Sequence, residues 1–457
     1  MSGKVNSGNN PLGTDKVGRL LRSFAIPSII SMLVGSLYNI VDQFFIGQRV
    51  GELGNAATNI AFPLSTSCVA LALIFGIGGA SAFNLAMGHG EKRQATNYMG
   101  NAATSLLLSG IILAIITESF LRPLLMFFGS PKDVLEYAME YTRITAFGFP
   151  FLIFSTGGGH LIRADGRPKV SMICNLTGAI INTILDAIFV FGMNMGMSGA
   201  ALATVIGQVI SAALVFWYLS HCKTVKLARE NLIIKKSNVG RIASLGMAPF
   251  GNQVAMMIVQ IIMNNSLKYY GEHSVYGSSI PISCVGIITK VNMVFMAFVI
   301  GISQGLQPIA SFNYGAKKYK RVKEAYLKAV AVGFVLAVIA FAAFQIFPRN
   351  IIALFGNGSD LYYEFAVNYF RIFLFFTFLN FMQPISSNFF TAIGKPKRGV
   401  FLSLTRQIIF LLPLILILPL YMGIDGIMYA GPVADFMAAA VSFFMVFKEL
   451  RQEKYKT

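Results

Sequence analysis

Four ionisable side chains, Asp42, Asp186, Lys290 and Arg406, stand inside long apolar stretches of this 457-residue chain. A charge at the centre of a bilayer-spanning helix costs about 2.5–3.5 kcal/mol on the insertion scale, so each one marks a candidate site. Asp42 follows Tyr38 by four residues in Tyr38-Asn39-Ile40-Val41-Asp42-Gln43, and Asp186 follows Asn182 by four in Asn182-Thr183-Ile184-Leu185-Asp186. Four residues is one helical turn, so each carboxyl shares a helix face with a hydrogen-bonding neighbour. Two such carboxyls on one cavity support either of two chemistries. Withdrawn from water, a carboxyl holds a proton more readily and can load and release it near neutral pH. The same oxygens, joined by those of Asn182 and a nearby threonine, could instead line a sodium site. The residue pattern leaves both open, along with a plainer role for Asp42 as an interfacial cap or snorkelling group. Lys290 and Arg406 call for a carboxylate or helix carbonyls as partners. Asp435, which takes the place of Gln208 in an internal repeat, is a further cavity candidate, as are Gln43 and Gln208 themselves.

The elements that position these residues follow from composition. Hydrophobic residues make up 55% of the chain and charged residues 12%, with a mean hydropathy of +0.65, which excludes an ordinary soluble domain. At about 20 apolar residues per crossing, the length accommodates roughly twelve spans. The expected fold is an all-α membrane protein with spans near 23–46, 57–83, 100–121, 141–162, 170–192, 198–219, 242–267, 280–310, 327–347, 365–392, 399–421 and 424–447. The polar, glycine-rich first twenty residues contain no cleavable signal, so the first span is expected to act as the insertion signal.

A net charge of +18 suggests nucleic acid in a soluble protein, but here it sits in every second loop. Lys4, Lys16, Arg19 and Arg22 precede span one, and Arg163, Arg167 and Lys169 follow span four. Six basic residues fill the central loop, another six follow span eight, and Lys448, Arg451, Lys454 and Lys456 close the chain. The positive-inside rule then places both termini and the central loop in the cytoplasm, with no role for nucleic acid. The four cysteines are isolated and read as small core residues, and His160 reads as a loop-end residue.

The loop 221–241 divides the spans into an N-terminal lobe, 1–220, and a C-terminal lobe, 242–457, which match at an offset of roughly 227 residues. Arg163-Ala164-Asp165-Gly166-Arg167-Pro168-Lys169 pairs with Thr391-Ala392-Ile393-Gly394-Lys395-Pro396-Lys397. Met195 to Gly199 pairs with Met422 to Gly426, and Phe128-Gly129, Asp133, Tyr141 and Arg143 pair with Phe355-Gly356, Asp360, Tyr369 and Arg371. Six spans return to the same side, so the halves are parallel and related by a pseudo-twofold axis along the membrane normal. That is the plan of a secondary transporter in which two bundles rock about a central site. No P-loop, HExxH or GxSxG motif is present, which argues against an enzyme or an ATP-driven pump, and no repeated carbonyl loop or charge ring supports a channel.

Taken together, several segments resemble the multidrug and toxic compound extrusion (MATE) transporters, in particular the bacterial MepA-like and DinF-like branch. They are Tyr38 to Gly47, Gly166-Arg167-Pro168-Lys169, Asn182 to Asp186, Gly199 to Gln208, and Gly305-Leu306-Gln307-Pro308 with Asn313-Tyr314-Gly315-Ala316. The resemblance implies a monomeric antiporter of a bacterial inner membrane, surrounded by lipid. Such a protein exports amphipathic or cationic drugs against inward protons or sodium ions and uses no other cofactor. It also implies a cation site formed by Tyr38, Asp42, Asn182, Asp186 and Thr204, with Asp42, Asn182, Asp186 and Thr204 as the sodium ligands. Some members carry a coupling acid in span seven; here that span offers Asn252, Gln253, Gln260, Asn264 and Asn265 instead. A flippase for lipid-linked precursors or polysaccharides, of the same superfamily, is the alternative, kept open by Lys290 and Arg406.

Overall fold

The structure, a computed structural model, describes residues 10–50, 52–128, 130, 132–277, 279–354 and 359–455. Among them run twelve long helices: α1 Val17–Arg49, α2 Glu52–His89, α3 Lys92–Ser119, α4 Lys132–Ala164, α5 Pro168–Gly192, α6 Gly196–Ser220, α7 Lys236–Glu272, α8 Ser279–Gly315, α9 Tyr319–Ile346, α10 Asp360–Ala392, α11 Pro396–Met422 and α12 Ile424–Leu450. Eleven are long and apolar enough to cross a bilayer. The remaining one, α4, has 33 residues and carries Lys132, Glu136, Glu140 and Arg143 in its first turns, yet it packs against α2, α3, α5 and α6 as a full member of the bundle. The chain is therefore a multi-pass integral membrane protein.

The repeat read from sequence reappears as matched turns. Gly166 and Gly394 both adopt positive φ (84° and 74°), as do Gly196 and Gly423 (57° and 59°), a backbone region that a Cβ disfavours. Pro168 and Pro396 then open α5 and α11 at the first helical position, where the missing N–H has no helical partner to lose. Of the sequence pairs, Gly129, Phe355 and Gly356 lie outside the described residues.

Both α5 and α11 carry a π-helical stretch, Ala187–Gly192 at the end of α5 and Thr405–Leu411 in the middle of α11. Such wide turns concentrate at functional positions, and here they touch the two charged residues: Asp186 immediately precedes the first, and Arg406 lies within the second. The fourth spans differ. Where α4 runs unbroken through Pro150, α10 is interrupted between Phe373 and Met382 by a short 3-10 turn, Thr377–Leu379.

Packing crosses the division made by connectivity. Leu20, Leu21 and Phe24 of α1 belong to the buried cluster of the second half, while Ile242 and Leu245 of α7 belong to that of the first. On the face carrying the basic loops, glycines bring the helices to backbone contact. A β-carbon at Gly78 would overlap the Ile242 carbonyl, and one at Gly246 the Ile74 carbonyl. A β-carbon at Gly305 would come within 2.6 Å of the Ala25 nitrogen, and those at Gly88 and Gly315 would overlap the carbonyls of Phe312 and Leu85. Gln307 adds hydrogen bonds to the Ile77 carbonyl (3.2 Å) and Ser81 hydroxyl (2.9 Å). Among the described residues, the hydrogen bonds and glycine contacts between the halves all lie in this basic half. The molecule is thus closed on its basic face.

Two expectations need correction. His160 is not at a loop end: it lies within α4, 3% exposed, with Nδ1 2.9 Å from an Arg163 guanidinium nitrogen. Arg163 itself is no loop cation, being 4% exposed and also donating to Ser171 Oγ. The central loop, by contrast, is fastened down. Asn101 of α3 donates to the Asn231 and Ile233 carbonyls and accepts from the Lys235 N–H.

Candidate functional site

In the first half, α1 and α5 carry Asp42 and Asp186, 144 residues apart in sequence, to the same point. Asp42 is 8% exposed and Asp186 fully buried, and the two carboxyls face each other within hydrogen-bonding reach. Asp42 is therefore an internal group, not an interfacial cap. Asn182, one turn before Asp186, links the pair to α6. With its amide oriented so that both atoms have partners, Nδ2 donates to Asp186 Oδ2 (3.3 Å), while Oδ1 accepts from the Thr204 hydroxyl (3.3 Å) and backbone N–H (3.1 Å). Tyr38 stands beside both acids. The structure thus brings together all five residues expected at a cation site.

It also adds one. Tyr141 of α4 lies against Asp42, Asp186 and Tyr38 and hydrogen-bonds Thr204. Sequence reasoning noted Tyr141 only as the repeat partner of Tyr369; nothing local marks it, because α4 reaches the site only through the bundle's packing. One oxygen on each acid, Asp42 Oδ1 and Asp186 Oδ1, is buried without a hydrogen-bond partner. No basic side chain among the described residues is within salt-bridge distance of either acid. Two converging carboxyls with free oxygens and no counter-charge form a site short of positive charge, suited to a shared proton or to a small hard cation.

The second half arranges its charges differently. Arg406 of α11 donates through Nε to Asp435 Oδ1 of α12 at 2.5 Å, and Asp435 is 2% exposed. Their pairing answers the sequence expectation of a carboxylate partner for Arg406. A small cavity of about 100 Å³ lies beside the pair, walled in part by Met256, Met263, Asn292, Tyr369 and Phe373. Lys290 joins neither feature: its side chain is exposed and in no ion pair among the described residues. Gln208, one turn beyond Thr204, turns its side-chain oxygen toward Gly148 of α4. The side chain of Gln43 lies outside the described residues, as do those of Asn39 and Asp133.

The sequence pattern of the MatE family matches residues 27–188 and again 250–417, one stretch in each half and well over half of the chain. The chain belongs to the MatE family. Its similarity to relatives runs nearly end to end: the multidrug export protein MepA of Staphylococcus haemolyticus (strain JCSC1435) is 23% identical over 94% of this chain and 93% of its own. Among solved structures, a MOP superfamily transporter from Pyrococcus furiosus, described as having a binding pocket of reverse polarity, superposes with a TM-score of 0.90 at 21% identity, covering 98% of both chains. An outward-facing multidrug resistance transporter of the MATE family gives the same TM-score at 21% identity, over 97% of this chain and 98% of that one. For this MatE chain, those structural likenesses establish the fold. The glycine and glutamine positions of the α8 motif also gain a reason, since Gly305, Gln307, Asn313 and Gly315 make the inter-half and terminal contacts of the closed face.

Proposed function

We propose that this chain is a secondary active antiporter that exports amphipathic, cationic organic compounds in exchange for protons or sodium ions. The observation that carries it is the Asp42–Asp186 pair, buried, mutually facing and, among the described residues, without a basic partner. A buried charge left unpaired is costly, so the first half favours states in which a cation occupies the pair. The multidrug export named for the staphylococcal relatives supports the substrate class.

By the positive-inside rule the basic face is cytoplasmic, which places both termini inside a bacterial plasma membrane and makes the closed-face structure outward-open. In this state a proton or sodium ion loads the acids from outside. Loading changes the charge and hydrogen bonding among α1, α5 and α6, which shifts α1 and releases bound drug outward. α1 passes Pro27 as one unbroken helix, and the hydrogen bond that proline lacks leaves a place to bend. Alternating access then breaks the glycine contacts of the basic face. We take the working unit to be one chain, since both halves of the rocking pair lie within it. The lipid-precursor flippase is less favoured, because Arg406 is engaged by Asp435 instead of standing free to hold a pyrophosphate.

The test is ethidium efflux from proteoliposomes under separately imposed proton and sodium gradients, with Asp42→Asn and Asp186→Asn beside the wild type. Export driven by one gradient and lost in either variant is the expected result. Efflux in both variants at wild-type rates would remove the acids from the coupling role, and no efflux by wild type under either gradient would overturn the antiporter reading.

A further inference from the structure

A cavity of about 530 Å³ lies far from the acids, on the basic face. Its volume falls in the range of about 300–1,000 Å³ in which organic ligands are held. Its floor is apolar: Leu20 and Phe24 of α1, Phe83 and Met87 of α2, and Phe312 of α8 line it. Its rim carries Lys92, Arg167 and Lys223, all exposed and in no salt bridge among the described residues.

The one acid of the lining, Asp165, is already spent. Its carboxylate accepts from the Tyr218 hydroxyl (2.7 Å), the N–H groups of Lys223 (3.0 Å) and Thr224 (3.2 Å), and the Thr224 hydroxyl. At the floor, Asn84 is 1% exposed and its Nδ2 has no hydrogen-bond partner. A buried donor left unpaired is costly, about 1–3 kcal/mol, so an occupant with an acceptor beside its apolar body would be favoured there.

The walls come from both halves. Phe83, Asn84 and Asp165 belong to the first, Lys223 to the loop that joins the two, and Phe312 to the second. The short N-terminal helix Pro11–Thr14 closes one side, held by Asn313 Nδ2 to the Leu12 carbonyl (2.8 Å) and Lys318 to the Gly13 carbonyl (2.9 Å). An occupant therefore bridges the two halves where they must separate for the basic face to open.

We propose that this cavity is a binding site for an anionic amphiphile, with its acyl chain on the Phe24–Phe83–Phe312 floor and its acid among Lys92, Arg167 and Lys223, and that the ligand holds the basic face closed. Charge complementarity selects the occupant: three unpaired cations disfavour the cationic compounds assigned to transport and favour an acid head group. The source is either a free fatty acid or an anionic phospholipid. The proposal does not depend on the coupling reading, since its readout is binding.

The experiment is native mass spectrometry of the full-length protein in mild detergent, titrated with oleate, phosphatidylglycerol, phosphatidylcholine or the uncharged monoolein. One tightly held oleate or phosphatidylglycerol is expected, the better of the two naming the source, with monoolein and phosphatidylcholine at least ~10-fold weaker, the loss of about one charge-assisted contact. The Lys92→Gln/Arg167→Gln/Lys223→Gln variant should lose that preference, and Met87→Trp, which fills the floor, should lose binding of all four. Both variants are checked by thermal melting, so failure to fold is separable from failure to bind. Equal retention of monoolein and oleate by the wild type, or wild-type affinity in both variants, would overturn the proposal. So would amphiphile binding seen only after deletion of residues 1–9, since the chain's own beginning would then be the occupant.

Discussion

The two halves share one helical plan and carry opposite charge arrangements, at different depths along α5 and α11. In the first, Asp42 and Asp186 meet beside a π-helical turn with no basic partner among the described residues. In the second, a π-helical turn presents Arg406 to Asp435, and the charges cancel within the protein. A buried group that is already neutralised has no need of an outside ion, whereas a pair of acids does. The difference teaches that duplicated architecture need not mean duplicated chemistry: cation loading is expected of the first half alone, and a fixed polar strut of the second.

The strongest way to break this comparison is to exchange roles. Asp186→Asn is expected to bring gradient-driven ethidium efflux to the level of protein-free vesicles while leaving the melting temperature near or above the wild-type value, because it removes an unpaired buried acid. Arg406→Met is expected to act on the fold, lowering stability by about 3–5 kcal/mol because Asp435 is left buried and alone. Adding Asp435→Leu should restore most of it, and thermal melting of the single and double variants decides whether the pair is a strut. If Arg406→Met were stable and inactive, the second half would have a transport role of its own.

Smaller effects sharpen the picture. Gly78→Ala introduces a β-carbon against the Ile242 carbonyl and should cost the closed basic face about 1–3 kcal/mol. Cysteine accessibility from the basic side, measured at a position near the seam, should rise. Tyr141→Phe removes the hydroxyl bonded to Thr204 and should weaken cation binding by roughly 3- to 10-fold, the worth of about one hydrogen bond. Tyr369→Phe, at the corresponding place in the second half, should leave it unchanged, and the half-saturating ion concentration for efflux reads both.

Much of this arrangement is legible without coordinates. The twelve spans, their division and the acids at Asp42 and Asp186 stand out because hydropathy and the cost of an intramembrane charge are properties of short windows. Asn182 was marked by its one-turn spacing from Asp186 and Thr204 by the family resemblance, and the two hydrogen-bond each other beside the acids. What escaped has no local signature. Tyr141 looks like any aromatic at a helix start, and Arg163, grouped with the loop cations by its position after an apolar run, turned inward to His160 and Ser171. The interruption of α10 against the continuity of α4 was equally hidden, since both segments read as one apolar span.

The sequence by itself determined a membrane-embedded, two-fold helical chain with acids in its first half, because burial in lipid constrains each residue almost independently of the others. Only the tertiary structure decided which charges meet. The Asp42–Asp186 contact, the Arg406–Asp435 pair and the cavity between Asn84, Lys223 and Phe312 join residues from 29 to 228 positions apart. Whether such residues touch is set by how closely helices pack, and that in turn by glycines such as Gly78, Gly246 and Gly305, whose missing side chains let backbones approach to contact.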